Sequence, residues 1–201
     1  MVMPKIVDHS ERKSNIAEAT WRVIIRQGIK GATVRNIAAE AGVSLGALRH
    51  YFSTQQELLE FAMNLVKERV TARIVYIMQS ELPPREQILQ VLLELLPTDD
   101  SSMAEMEVWF AFTFHLKTGG ERATELNDAI YPLIVQIIDY LDHHALFKPG
   151  LDKGDEAERL YALIDGLALH AMLEPDRMNK QRVIRVLNVH LESICRSGAE
   201  R

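Results

Sequence analysis

Between residues 33 and 51 the chain places Thr33, Arg35, Ser44, Leu45, Gly46, Ala47, Arg49, His50 and Tyr51, a set of side chains suited to reading a polyanion. Thr33 and Ser44 each precede a short apolar-periodic segment, so each can cap a helix by accepting from a backbone N–H. A helix start also presents free N–H groups and the positive end of the dipole, which favour a phosphate. Gly46 and Ala47 are small enough to bring a helix axis close to base edges, and Leu45 or Ala47 can touch a thymine methyl. Arg49 can grip a guanine edge through two N–H groups or pair with a phosphate, while His50 and Tyr51 are phosphate donors. Arg35 can reach a base or the backbone. Plainer readings stand beside these: Thr33 and Ser44 as caps alone, Tyr51 packed beneath the next helix, Arg35 as a solvated charge.

The elements that must hold these residues are helical. Residues 34–41 put Ile37, Ala38 and Ala41 on one face, and Gly42 ends the segment as a left-handed cap. Residues 45–51 form a second short helix, with Leu48 and Phe52 turned to the core. Only Gly42 and Val43 lie between, the spacing of a helix-turn-helix, whose second helix enters the major groove while the first crosses the backbone. Ahead of it a helix starts near Ser10, carries Ile16, Ala19, Thr20, Val23 and Ile24 at helical spacing, and stops at Gly28, leaving 28–32 as a loop. Behind it Ser53 or Thr54 caps a long helix with Glu57 as capping-box partner, running towards Met78.

Helical periodicity continues to the end. Pro83 and Pro84 open a helix that Pro97 closes. Asp99 to Ser102 offer caps for another holding Met106, Trp109 and Phe110. A further helix spans 121–143 with Pro132 as a kink, and the last two span 153–173 and 179–196. The expected fold is all-α, about nine helices. It comprises an N-terminal three-helix domain with the helix-turn-helix, suited to DNA, at residues 1–55 and a larger helical domain at 56–201.

Composition sets the bounds. With 47% hydrophobic and 25% charged residues the chain is neither disordered nor collagen-like. No apolar run approaches the roughly 20 residues of a membrane helix. The N-terminus lacks a signal-peptide pattern and Cys195 is the only cysteine, so a cytoplasmic location with no membrane partner is expected. The formal net charge of −5 conceals a division: residues 1–54 carry eight basic and four acidic side chains, +4, which leaves −9 for the remainder. A basic head on an acidic body suits a small module that meets DNA and a larger part with another task. No phosphate-binding glycine loop, nucleophile elbow or metalloprotease helix occurs, so neither an enzyme nor a cofactor is expected. His115, His143, His144 and His170 have no cysteine beside them, and the adjacent His143 and His144 point in different directions on a helix, so no metal site is expected.

The run from Thr33 through Val34, Arg35, Asn36, Ile37, Ala38, Ala39, Glu40, Ala41, Gly42 and Val43 to Ser44, then Leu48, then His50, Tyr51 and Phe52, then Glu57, Leu58 and Leu59, resembles the DNA-binding domain of the TetR family of bacterial transcriptional regulators. The match covers about residues 10 to 65. The ending His50, Tyr51, Phe52 is similar to the subgroup that includes the choline-responsive BetI repressors, as, more weakly, are the stretches around Trp109 and Gly166. The resemblance implies a homodimer that reads a near-palindromic double-stranded operator and is released by a small-molecule effector, with residues 56–201 as its ligand-binding and dimerisation domain. Two departures stand out. Arg49 replaces the family's common Tyr, and Gln55 replaces a Lys that contacts phosphate, removing one positive charge per subunit. The alternative is a helix-turn-helix module that binds a ligand or a protein and has weak DNA affinity.

The family's dimers pair their last two long helices, which implies dimerisation through Leu160, Leu163 and Leu167 on one and Val183, Leu187 and Ile194 on the other. These same stripes can equally be buried within the chain. An effector pocket is expected to be lined by Met106, Trp109, Phe110, Phe112, Tyr131 and His170. Its aromatics suit an apolar or a quaternary-ammonium ligand, although aromatics at helical spacing also serve as plain core.

Overall fold

The computed structural model describes residues 9–119 and 130–196. Among these the fold is all-α, with nine helices and, as the sole β feature, an isolated bridge between Phe147 and Cys195. The chain divides into two compact units, one holding the segment up to Arg69 with Glu107–His115, the other Val70–Met106 and the chain from Leu116 onward.

The first unit is built from α1 (His9–Gly31), α2 (Val34–Glu40), α3 (Leu45–Tyr51) and the beginning of α4 (Gln55–Met78). Its core gathers Ile16, Val23, Ile37, Leu48, Phe52, Leu58 and Met63, each at most 1% exposed. Three of these, Ile37, Leu48 and Phe52, are the apolar anchors of the two short helices, so burying them fixes the angle at which α3 leaves the body. The indole N–H of Trp21 donates to the Ala62 carbonyl at 2.9 Å, tying α1 to α4. The Arg69 guanidinium stacks 4.8 Å from the Trp21 ring and pairs with Glu18.

The local rules account for the joints. Thr33 Oγ1 accepts from Asn36 N and Ser44 Oγ accepts from Ala47 N at 3.1 Å, so both short helices are side-chain capped. Gly42 stands at φ 65°, a left-handed conformation that costs a residue with a Cβ about 1 kcal/mol. Thr54 caps α4 by accepting from Glu57 N at 3.0 Å, and Glu57 reaches back to Ser53 N at 2.8 Å, completing the capping box. Gly28 does break the regular helix, at φ 68° and ψ 172°, but helical bonding resumes to Gly31 where a loop was expected.

The second unit contains the end of α4, α5 (Pro84–Glu94), the start of α6 (Asp100–Gly119), α7 (Ile130–His143), α8 (Lys153–Leu173) and α9 (Lys180–Ile194). Its core includes Ile88, Leu92, Leu96, Ile134, Ile138, Leu141, Leu160, Ile164, Val183, Leu187 and Leu191. Asp152 and Asn179 cap α8 and α9 through Asp155 N and Arg182 N. Pro132 is exposed on α7, three residues into its described part. The expected beginning of that helix, 121–129, lies outside the described residues. Arg73 of α4 bonds Glu94 of α5 at 2.6 Å and Glu105 of α6 at 2.7 Å, locking three helices through one guanidinium.

Candidate DNA interface and sensing region

The outward side of the helix-turn-helix is set by what its inward side buries. With Leu48 and Phe52 inside, α3 turns Leu45, Gly46, Arg49 and His50 to solvent, while Ala47 is half-buried. Thr33, Arg35 and Ser44 are exposed at the starts of the two short helices. Seven of the nine residues read from the sequence as a polyanion surface are therefore exposed on elements of one unit, and the eighth is Ala47. The ninth, Tyr51, is half-buried, and the structure resolves its surroundings: the His9 ring lies 4.7 Å and the His50 ring 5.5 Å from it. Sequence reasoning missed His9, because a contact between the first turn of α1 and the last of α3 leaves no periodic signal.

Electrostatics redistribute the basic head. Glu40, at the end of α2, accepts from Arg22 Nε at 2.7 Å and also pairs with Arg26. The two guanidinium groups hold the Glu40 carboxyl below the usual carboxylate range. Lys13 is drawn over Phe52 and Phe61, 5.3 and 5.6 Å from their centroids. Three of the eight cations counted in the sequence thus have partners inside the unit, while Arg35 and Arg49 stay exposed beside the helix-turn-helix. Gln55 turns inward enough for its amide to donate to the Ala32 carbonyl at 2.9 Å, so it ties α4 to the joint before α2.

The residues expected to line an effector pocket divide. Trp109 and Phe110 are half-buried on α6 in the first unit; Phe112, at 4% exposure, is core and offers no surface to a ligand. The Lys67 ammonium stands 5.9 Å from the Trp109 centroid, and burial pushes its pKa below that of an ordinary lysine. Met106, Tyr131 and His170 belong to the second unit. Tyr131 packs edge-on to Tyr161 with centroids 5.6 Å apart and hydrogen-bonds Glu158, which raises its phenol pKa. His170 is a surface residue, its ring 3.7 Å from Glu174 and 3.2 Å from Arg177. The core face of α8 runs through Leu167, Ala168 and Ala171, which leaves His170 turned outward, so it is no pocket residue within this unit.

The stripes expected to dimerise are largely buried within the single chain. Leu160, Leu167, Val183, Leu187 and Ile194 are at most 4% exposed within the single chain, so they have almost no area left to bury against a second copy. Leu163 is half-buried. The apolar area that stays open on α8 and α9 is Leu169, Leu173 and Val189, the last two more than 60% exposed.

Two family models match this arrangement. Residues 16–62 fit the model for bacterial regulatory proteins of the tetR family, and residues 84–196 fit that for the C-terminal domain of BetI-type transcriptional repressors. The chain is 56% identical to the HTH-type transcriptional regulator PksA of Bacillus subtilis, over 96% of this chain and 94% of that one. It is 29% identical to the HTH-type transcriptional regulator BetI of Proteus mirabilis, over 94% of each. Among solved structures, a putative transcriptional regulator from Saccharomonospora viridis in complex with choline matches with a TM-score of 0.81 and 26% identity, covering 93% of this chain and 99% of that one.

Proposed function

The chain belongs to the TetR family of bacterial transcriptional regulators, with a BetI-type C-terminal part, and from that premise we propose that it is a repressor that grips a near-palindromic operator as a homodimer and releases it on binding a small molecule. Its relatives are transcriptional regulators and not enzymes. No helix of the described residues is long and apolar enough to cross a membrane.

The observation that carries the reading is the surface of α3. A short, side-chain-capped helix exposes Gly46 and Arg49 while Leu48 and Phe52 anchor its opposite side, the arrangement a groove-entering helix needs. Arg49 takes the base or phosphate contact, with Thr33, Ser44, His50 and Tyr51 on flanking phosphates. The choline complex of the Saccharomonospora viridis relative supports a small-molecule effector here. Helix α4 contributes to both units, so a ligand that moves it changes the separation of two reading heads that must sit about one DNA turn apart. The dimer face is Leu169, Leu173 and Val189 with Leu163 at its margin, since these are the apolar side chains of α8 and α9 still open to a partner.

Selection from a random duplex library, followed by gel shift on the enriched site, tests the reading. A near-palindromic sequence should emerge, and Arg49→Ala should weaken binding to it by about tenfold or more, the scale of one good base or phosphate contact. Failure to enrich any sequence sinks the operator reading and favours a module that acts through ligand or protein alone.

A further inference from the structure

The chemical class of the effector can be narrowed, on the reading of this chain as an effector-released regulator, from the charges along α4. Three cations succeed one another on that helix: Lys67, Arg69 and Arg73. Arg69 pairs with Glu18, and Arg73 with Glu94 and Glu105. Lys67 has no carboxylate within ion-pair distance among the described residues, although it is half-buried. Its contact is the Trp109 ring, 5.9 Å away, in the same unit.

The acidic groups nearby are poorly placed to serve it. Glu68 follows Lys67 directly on α4 and is exposed, and consecutive residues on a helix point about 100° apart. Glu107 is half-buried on α6, two positions before Trp109 and so about 200° round the helix from the ring that Lys67 meets. A half-buried ammonium resting on an aromatic face is stabilised by the ring's quadrupole, but less than by a carboxylate. Burial accordingly lowers its pKa. A quaternary-ammonium ligand would need the same Trp109 face, and would meet a like charge already there. An anion would remove the deficit instead.

We propose that the effector of this chain carries a carboxylate or equivalent anionic group on a small apolar body, the anion pairing with Lys67 Nζ and the apolar part lying on the exposed portion of Trp109. Lys67 then selects by charge, accepting anions and rejecting trimethylammonium compounds at a position where the aromatic surface alone would take either. Pairing also acts on α4 itself, the helix whose displacement separates the reading heads.

Three probes of similar bulk and different charge test this by calorimetry on the full chain: tert-butylacetate, its neutral amide, and choline. The wild-type protein should bind the anion about tenfold more tightly than the amide, the scale of one charge-assisted hydrogen bond at a half-exposed site, with choline weakest. Lys67→Met should bring the anion-to-amide ratio to about one, Lys67→Arg should restore it, and thermal unfolding checks that both variants are folded. An unchanged ratio in Lys67→Met, choline as the tightest ligand, or no binding of any probe to wild-type protein overturns the proposal. The same ranking combined with failure to release the selected DNA upholds the anion site and overturns the effector reading instead.

Discussion

Acid should destabilise the C-terminal unit through one side chain. His190 on α9 is 7% exposed, and its Nε2 is buried without a hydrogen-bond partner among the described residues. Burial first, and the positive charge of Arg159 second, pull its pKa from the ordinary 6.5 of a histidine down to about 4. The native imidazole is therefore neutral, while the unfolded chain takes up a proton near 6.5. A folded pKa below the unfolded one means the stability is fully present above about pH 6.5 and is lost as pH falls towards about 4. At 1.36 kcal/mol per unit the ceiling is about 3.4 kcal/mol, of which about 2 kcal/mol is lost between pH 7.5 and pH 5. His190→Leu removes the titration and keeps the site filled. Urea unfolding followed by circular dichroism, at one protein concentration because the stability of the proposed homodimer would depend on it, measures both proteins at the two pH values. Carboxylates common to both cancel in the difference. Wild type should lose about 2 kcal/mol more than the variant on acidification, and parallel pH dependences would refute the buried, neutral His190.

Other substitutions test the remaining parts of the argument. Gln55→Lys restores a cation at the start of α4, and should steepen the log–log salt dependence of operator binding by about 0.9 per subunit in a gel-shift or anisotropy titration; an unchanged slope means this position does not face phosphate. Arg73→Met leaves Glu105, whose side chain is 8% exposed, as a buried unpaired charge, and should cost about 3 kcal/mol in urea unfolding. Double replacement with Glu105→Gln should recover part of that loss; no recovery would show that Arg73 acts by packing alone. Leu173→Glu, at a residue 68% exposed in the single chain, should leave folding intact and shift the sedimentation of the protein from dimer to monomer. A persistent dimer places the interface off the open edge of α8.

What could be read from the sequence is what neighbours along the chain decide. The caps at Thr33 and Ser44, the left-handed Gly42 and the capping box at Glu57 all involve partners within four residues, and each stands in the structure as read. The all-α architecture follows from the same short-range periodicity. What the sequence leaves open has the opposite origin. The stripes on α8 and α9 were apolar in the right places, but periodicity says only that a face is buried, not whether the same chain or a second copy covers it. Helix packing within the second unit covers Leu160, Val183 and Leu187, and the few side chains left outside, Leu173 and Val189 above all, carry no periodic signature.

Charge shows the same limit most sharply. The +4 of residues 1–54 counts cations without regard to what they face. Glu40 engages Arg22 and Arg26 from 18 and 14 positions away, and Lys13 rests on Phe52 and Phe61. If the head binds DNA as proposed, a surplus partly held internally leaves fewer cations for phosphates than its net charge suggests, so its affinity should depend more on the proposed Arg49 contact and less on counterion release. On the sensing side the reverse holds. The acidic remainder of the chain suggests a site for cations, yet the half-buried Lys67 beside Trp109 has no carboxylate within ion-pair distance among the described residues, which is the ground for the proposed anion site. At both places, each within the first unit, the charge that matters is the one left unpaired after folding, and pairing between residues far apart in sequence is what the chain's linear order does not display.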